Sequence, residues 1–317
     1  MSRALIAAAR DTGIRLTLLP VLYMSGGFDG RPLAERQRRF GHDLDGFLRL
    51  FETLRALEDE TLRVGVAFHS LRAVPPEAMS AALAALPAGT PLHIHIAEQI
   101  GEVQDCLALR NARPVEWLLD HAPVDLHWTL VHATHLTAEE TAGIARSGAT
   151  VAICPTTEAN LGDGLFPLRA YLDAGGTWGI GSDSHISVSP VEELRWLEYG
   201  QRLHTRHRNI AVDGVGQSVG ESLLHGTLAS GAHASGQAVG VLAPGMAADW
   251  IELEASAPTF AGARPEDVVD RWLFSGNRNL VRQVHVAGQA VVVDGRHRQA
   301  EAITARYRQV VARLLAD

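Results

Sequence analysis

Short apolar and β-branched runs recur through the first 180 positions of the chain. They fall at 15–22, 63–68, 91–96, 128–132, 150–153 and 177–180, and stretches of helical period follow them, as at 98–110, 137–146 and 190–203. This alternation predicts βα units around a parallel sheet, and the α/β fold expected is a (β/α)8 TIM-type barrel. Six strands are legible where a closed barrel has eight, so the barrel is expected to be incomplete, with the other pair upstream of Met1. Ionisable and polar residues collect just past the strand ends: His69 and Arg72, His93 through Glu98, His132 and His135, Thr156 to Asn160, and Ser182 to His185. In a barrel those ends form the catalytic face.

Beyond Gly231 the pattern changes to glycine-rich turns and short strands at 248–253 and 281–293, followed by a helical stretch at 302–315. We therefore expect three parts: a partial barrel over 1–235, a small β appendage over 236–300, and a C-terminal helix over 301–317. Composition narrows the function without choosing it. Apolar residues make up 46% and charged residues 20% of the 317 positions, as in a globular protein. The net charge of −8 comes with no basic stripe, which excludes the electrostatic footprint of a nucleic-acid binder and favours a small-molecule substrate. Two cysteines, Cys106 and Cys154, are too few for a disulfide framework, and no apolar stretch reaches membrane-spanning length; a cytoplasmic protein is expected, with no membrane partner.

The segment HIHIAEQ (93–99) puts two imidazoles at i and i+2 on one face of a strand, with a carboxylate at the strand end. VHATHLT (131–137) and GIGSDSH (179–185) each end another strand in an ionisable group. Zinc takes imidazole nitrogen and carboxylate oxygen at about 2.0–2.2 Å and keeps one position for water, so His95 and Asp183 are candidate ligands. The tryptophans Trp117, Trp128, Trp178 and Trp196 fall at packing positions, and 204–207 reads as a solvated loop. Thr156, Thr157, Glu158 and Asn160 either shape a loop over the site or cap a following helix.

Taken together, the strand-end His-x-His-x-x-Glu, the next His and the closing Ser-Asp-Ser resemble the deaminase branch of the amidohydrolase superfamily, and PGMAAD (244–249) resembles its return into a small β domain. The strings HIHIAEQ, VHATHLT, CPTTEANLGDG (154–164) and GIGSDSH are most similar to the formiminoglutamate deiminases. That resemblance implies zinc-dependent hydrolysis of N-formimino-L-glutamate to N-formyl-L-glutamate and ammonia, with one zinc ion per subunit and a homodimer possible. It implies His95 as a metal ligand, Asp183 as a ligand that also takes a proton from the attacking water, Glu98 as proton shuttle, and His132 as hydrogen-bond partner of the reacting group. In FHSLR (68–72), Arg72 would clamp the glutamate carboxylate with its planar guanidinium, and His69 would lie beside the substrate. The superfamily's strand-1 His-x-His has no counterpart before residue 69. Two further readings stay open: a deaminase of the same fold acting on another amidine or an aminated heterocycle, and a truncated, non-catalytic fragment.

Overall fold

A computed structural model describes residues 1–212 and 217–316. The parallel sheet predicted from the hydrophobic runs is present. In chain order its strands are β1 (Leu16–Leu18), β2 (Val21–Leu22), β3 (Leu62–Val64), β4 (Val66–Phe68), β5 (Leu92–Ile96), β6 (Trp128–His132), β7 (Thr150–Ile153) and β8 (Thr177–Ile180). Six of them form one parallel sheet in the order β2-β4-β5-β6-β7-β8, and β1 pairs with β3 in a separate two-stranded parallel piece.

The first two runs, read from sequence as single strands, are each broken, and the breaks have visible causes. Pro20 has no N–H to give a ladder, though its carbonyl still accepts from the Ala67 N–H at 2.9 Å. Gly65 turns the other run, and a Cβ there would come within 2.6 Å of the Pro91 carbonyl, so only glycine fits.

Strand alternation sets the two faces. Ile94, Leu130, Val151 and Trp178 stand in register across β5 to β8 and are buried on the helix side. Interleaved with them, His93 and His95 point to the inner face. Several helices on the outer side begin or end on recognisable caps: Thr137, Ser189 and Ser218 accept backbone N–H groups at the N-termini, and Gly148, Gly162 and Gly236 close C-termini with positive φ.

The helix Val219–Ser235 ties the sheet together. Gly226 lies against the Trp178 indole, where a Cβ would stand 2.8 Å from the ring. Its C-terminal end then reaches the N-terminal ends of other strands: the Ala234 carbonyl accepts from His93 Nε2 at 2.8 Å, and the Ser235 carbonyl accepts from the Thr17 hydroxyl at 2.7 Å.

The appendage is an antiparallel sheet of β9 (Trp250–Leu253), β10 (Val281–Val286), β11 (Gln289–Val293) and β12 (Arg296–His297), in the order β12-β11-β10-β9. Asp249, at the end of PGMAAD, fastens it to the barrel. Its carboxylate takes Arg15 at 2.6 and 3.2 Å and the Ala287 N–H at 2.8 Å. The helix Ala300–Leu314 follows and buries none of its residues. Trp117, Trp128 and Trp178 pack in the core as expected. Trp196 does not: it is 46% exposed on the outer face of the helix Pro190–Thr205, which is buried only along its opposite stripe. His204 belongs to that same helix rather than to a loop.

Candidate active site

The C-terminal ends of β5, β6 and β8 carry left-handed backbone at residues other than glycine: Ala97 (φ 49°), His132 (φ 70°), Ala133 (φ 48°) and Asp183 (φ 47°). Such conformations cost on the order of 1 kcal/mol or more each and persist where surrounding structure imposes them, commonly at functional sites. Here they turn the chain so that the strand-end side chains converge.

His95 comes from the inner face of β5. Its Nδ1–H donates to the His69 carbonyl at 2.9 Å, which fixes the tautomer and leaves the Nε2 lone pair free. Burial holds the His95 imidazole below its ordinary pKa, as a neutral nitrogen ligand requires. His69 is held down to about 4, first by burial and then by the neighbouring His95 and Arg72; its ring stacks on Tyr23 at 4.3 Å.

His132 stands in register with Ile96, whose side chain faces the helices, yet the turn at the strand end brings its ring within 5.7 Å of the His95 ring. It is 1% exposed. Its Nε2 faces Glu98 Oε1 at 3.7 Å and Asp183 Oδ2 at 3.9 Å, distances that leave room for a reacting group between them. Its Nδ1 lies 3.2 Å from Glu158 Oε1. Burial works against the imidazolium, but the hydrogen bond to Glu158 and the charges of Glu98 and Asp183 outweigh it, and the His132 pKa lies above its ordinary value. Burial raises the Glu98 carboxyl as well, and the neighbouring Asp163 and Asp183 add to this.

Arg72 completes the group from the loop after β4. It lies close enough to influence Glu98, His95 and His69 electrostatically, yet among the described residues its guanidinium has no hydrogen bond or ion pair. Of the residues singled out from sequence, His69, Arg72, His95, Glu98, His132 and Asp183 therefore gather at one end of the sheet. His93 lies two residues from His95 but bonds the Ala234 carbonyl, and His185 bonds the Ser187 hydroxyl at 2.8 Å.

Sequence reasoning set one participant aside. The segment from Pro155 to Asn160 is neither a covering loop nor a cap but the helix Pro155–Leu161 itself, and its Glu158, 3% exposed, touches His132. Pro155 starts a helix directly after β7, which places Glu158 one turn on from the strand end but does not reveal its partner on β6. His132, Cys154 and Glu158 also offer ligand atoms within 4.8 Å of one another. Burial pushes the Cys154 thiol up, however, and Glu158 Oε1 already faces two nitrogen donors, so a metal reading fits that group poorly.

A parallel barrel sheet with imidazole and carboxylate groups at its C-terminal ends, and a small β sheet fastened to its first strand, is the layout of a metal-dependent barrel hydrolase. The chain belongs to the amidohydrolase family, whose model matches residues 2–291. It is 49% identical over 316 residues to the formimidoylglutamate deiminase of Pseudomonas aeruginosa, covering 99% of this chain and 70% of that protein. It is 26% identical to a 5-methylthioadenosine/S-adenosylhomocysteine deaminase of Natronomonas pharaonis, covering 66% of that protein. Among solved structures it resembles an amidohydrolase from Brucella melitensis, with a TM-score of 0.91 and 43% identity over 98% of this chain and 68% of the other. An adenosine deaminase from Xanthomonas campestris with bound zinc shares the fold, with a TM-score of 0.81 at 21% identity. No helix among the described residues is long and apolar enough to cross a membrane.

Proposed function

We propose that the protein hydrolyses N-formimino-L-glutamate to N-formyl-L-glutamate and ammonia; its Pseudomonas relative is named a formimidoylglutamate deiminase. The observation that carries this reading is the Arg72 guanidinium, which has no hydrogen bond or ion pair among the described residues, beside the convergence of Glu98, His132 and Asp183. A guanidinium with no ion pair among the described residues, close to Glu98, suits a substrate that brings its own carboxylate, and its planar fork can take that carboxylate in two parallel hydrogen bonds. His69, stacked on Tyr23, would line the same side of the substrate.

The reaction adds water to the amidine carbon and releases ammonia, so it needs one group that takes a proton and another that gives one. In this reading Asp183 accepts the proton of the attacking water. Glu98, whose raised pKa keeps the acid form within reach, passes a proton to the departing nitrogen. His132 directs Nε2 into the gap between them and hydrogen-bonds the oxygen being added.

The donors present fit a borderline divalent cation in part, and we take it to be zinc, one per subunit. His95 would offer Nε2, with its other ring nitrogen already anchored, and Asp183 a carboxylate oxygen. A catalytic zinc has about three protein ligands, and the described residues offer these two in the family's pattern. The chemistry a zinc ion supplies when bound is Lewis acidity toward water. Cys106 and Cys154 are both free and buried, which suits a reducing cytoplasm.

The test is ammonia release by the protein expressed from its complete reading frame, with N-formimino-L-glutamate compared against 5-methylthioadenosine. Preference for the linear amidine by roughly 10³-fold in kcat/KM is expected. Arg72→Met should remove roughly 10²-fold of that preference, mostly through KM. Equal turnover of the heterocycle, or an Arg72→Met protein with unchanged KM, contradicts the assignment.

A further inference from the structure

We infer that Glu158 is a positioning residue that holds the His132 proton on Nδ1 and thereby presents the Nε2 lone pair to the substrate. The inference rests on the reading of His132 given above and concerns how that ring is kept in one state.

The ring cannot rely on its strand for its orientation. His132 is the last residue of β6 and still in register with Ile96, but it and the next residue both have positive φ, so the strand's alternation no longer aims the ring. What fixes the ring is its contact with Glu158 Oε1 at 3.2 Å, made in a region where both residues are almost wholly excluded from solvent. The carboxylate is itself held. Its Oε1 also accepts the Cys154 N–H at 2.8 Å, a bond that spans the first turn of the helix Pro155–Leu161 and ties that helix to the end of β7.

A carboxylate accepts hydrogen bonds and gives none, so the proton of a neutral His132 ring sits on Nδ1. Nε2 is then the acceptor. Without Glu158 the ring nearest to Glu98 and Asp183 would gain by carrying its proton on Nε2, pointing at those carboxylates 3.7 and 3.9 Å away. That tautomer would fill the gap with a donor and close it to an incoming proton. The arrangement follows the general pattern in which a buried carboxylate selects the tautomer of a catalytic imidazole, where loss of the partner costs up to about 10⁴-fold in rate.

The experiment uses the protein from its complete reading frame, labelled with ¹⁵N-histidine. Two-bond ¹H–¹⁵N spectra report the tautomer of each ring, and the His132 signals are identified by their loss in His132→Asn. At pH above the raised His132 pKa, where the ring is neutral, the parent should show His132 protonated at Nδ1 and not at Nε2. In Glu158→Ala the pattern should move toward Nε2 protonation, and kcat should fall roughly 10²-fold with KM within about threefold. Glu158→Gln keeps an acceptor oxygen in place and should retain the Nδ1 pattern with a smaller loss, about 10-fold; it carries the test if Glu158→Ala does not fold. In the His132→Asn background, Glu158→Gln should cost nothing further.

Retention of the Nδ1 pattern and full kcat in Glu158→Ala overturns the inference, and so does an equal loss from Glu158→Gln with and without His132. A parent protein that releases no ammonia from N-formimino-L-glutamate would instead refute the proposed reaction, while the spectra still decide the tautomer.

Discussion

The two ends of the parallel sheet use the same kinds of residue to opposite purposes. At the N-terminal ends, His93 gives its proton to the Ala234 carbonyl, Thr17 to the Ser235 carbonyl, and Arg15 pairs with Asp249. These bonds join strands to the helix Val219–Ser235 and to the appendage, and they leave the named groups satisfied. At the C-terminal ends, Arg72 has no hydrogen bond or ion pair among the described residues, Nε2 of His132 stands short of contact with two carboxylates, and the backbone at His132 and Asp183 is left-handed. One end is arranged for stability. The other keeps polar groups exposed to one another at a cost, as sites for chemistry do.

The largest effect that should separate the two ends is on turnover. Glu98→Gln removes the proton shuttle and keeps the volume, and we expect kcat to fall by roughly 10³-fold while the melting temperature stays within a degree or two. Ammonia release at saturating substrate measures it. A Glu98→Gln protein with full activity would put the acid elsewhere.

The next effect is on stability. Glu102, in the first turn of the helix behind Glu98, is buried, and burial raises its carboxyl to about 7 against weaker help from backbone N–H groups. Its folded pKa lies above the unfolded value, so the native state binds the extra proton between about 4.5 and 7. Stability is complete below that window and falls as pH rises through it, by an amount on the order of 3 kcal/mol. Denaturant midpoints measured across this window should decline in the parent and flatten in Glu102→Gln. An equal decline in both would assign the pH dependence to other groups.

How much of this was legible in the sequence depended on the distance over which each feature is determined. The parallel strands and the antiparallel appendage came from periodicity, a local signal, and each of the six runs expected gives one strand to the main sheet, the first two also giving up β1 and β3 to a separate pair. The breaks at Pro20 and Gly65 were written in those residues but masked by the apolar runs around them, since side-chain pattern does not report whether the ladder is continuous. His95 was readable because strand parity aims it, whereas Glu98 and Asp183 lie past the last residues of β5 and β8, beside left-handed turns at Ala97 and Asp183, and were named on their motifs. His132 was named on its motif alone; by parity it would face the helices, and only the left-handed turn brings it into the site. Glu158 was missed for the complementary reason. Its partner is 26 residues away on another strand, and nothing local distinguishes a carboxylate that orients a histidine from one that caps a helix. Trp196 failed as a core residue because a helix packed along one stripe exposes the other, and the sequence of that helix carries large apolar side chains on both.

The comparison is tested most directly on β5, where His93 and His95 share a face two residues apart. Turnover and melting temperature of His93→Ala and His95→Ala should be measured side by side in the protein from its complete reading frame. His95→Ala should lose about 10³-fold in turnover with a metal-free melting temperature close to the parent's. His93→Ala leaves the Ala234 carbonyl without its donor, and should lower the melting temperature by about 2–4 °C while keeping turnover within roughly twofold. If both substitutions instead depress turnover equally, or if His95→Ala remains active, the division of the sheet into a structural end and a chemical end is wrong.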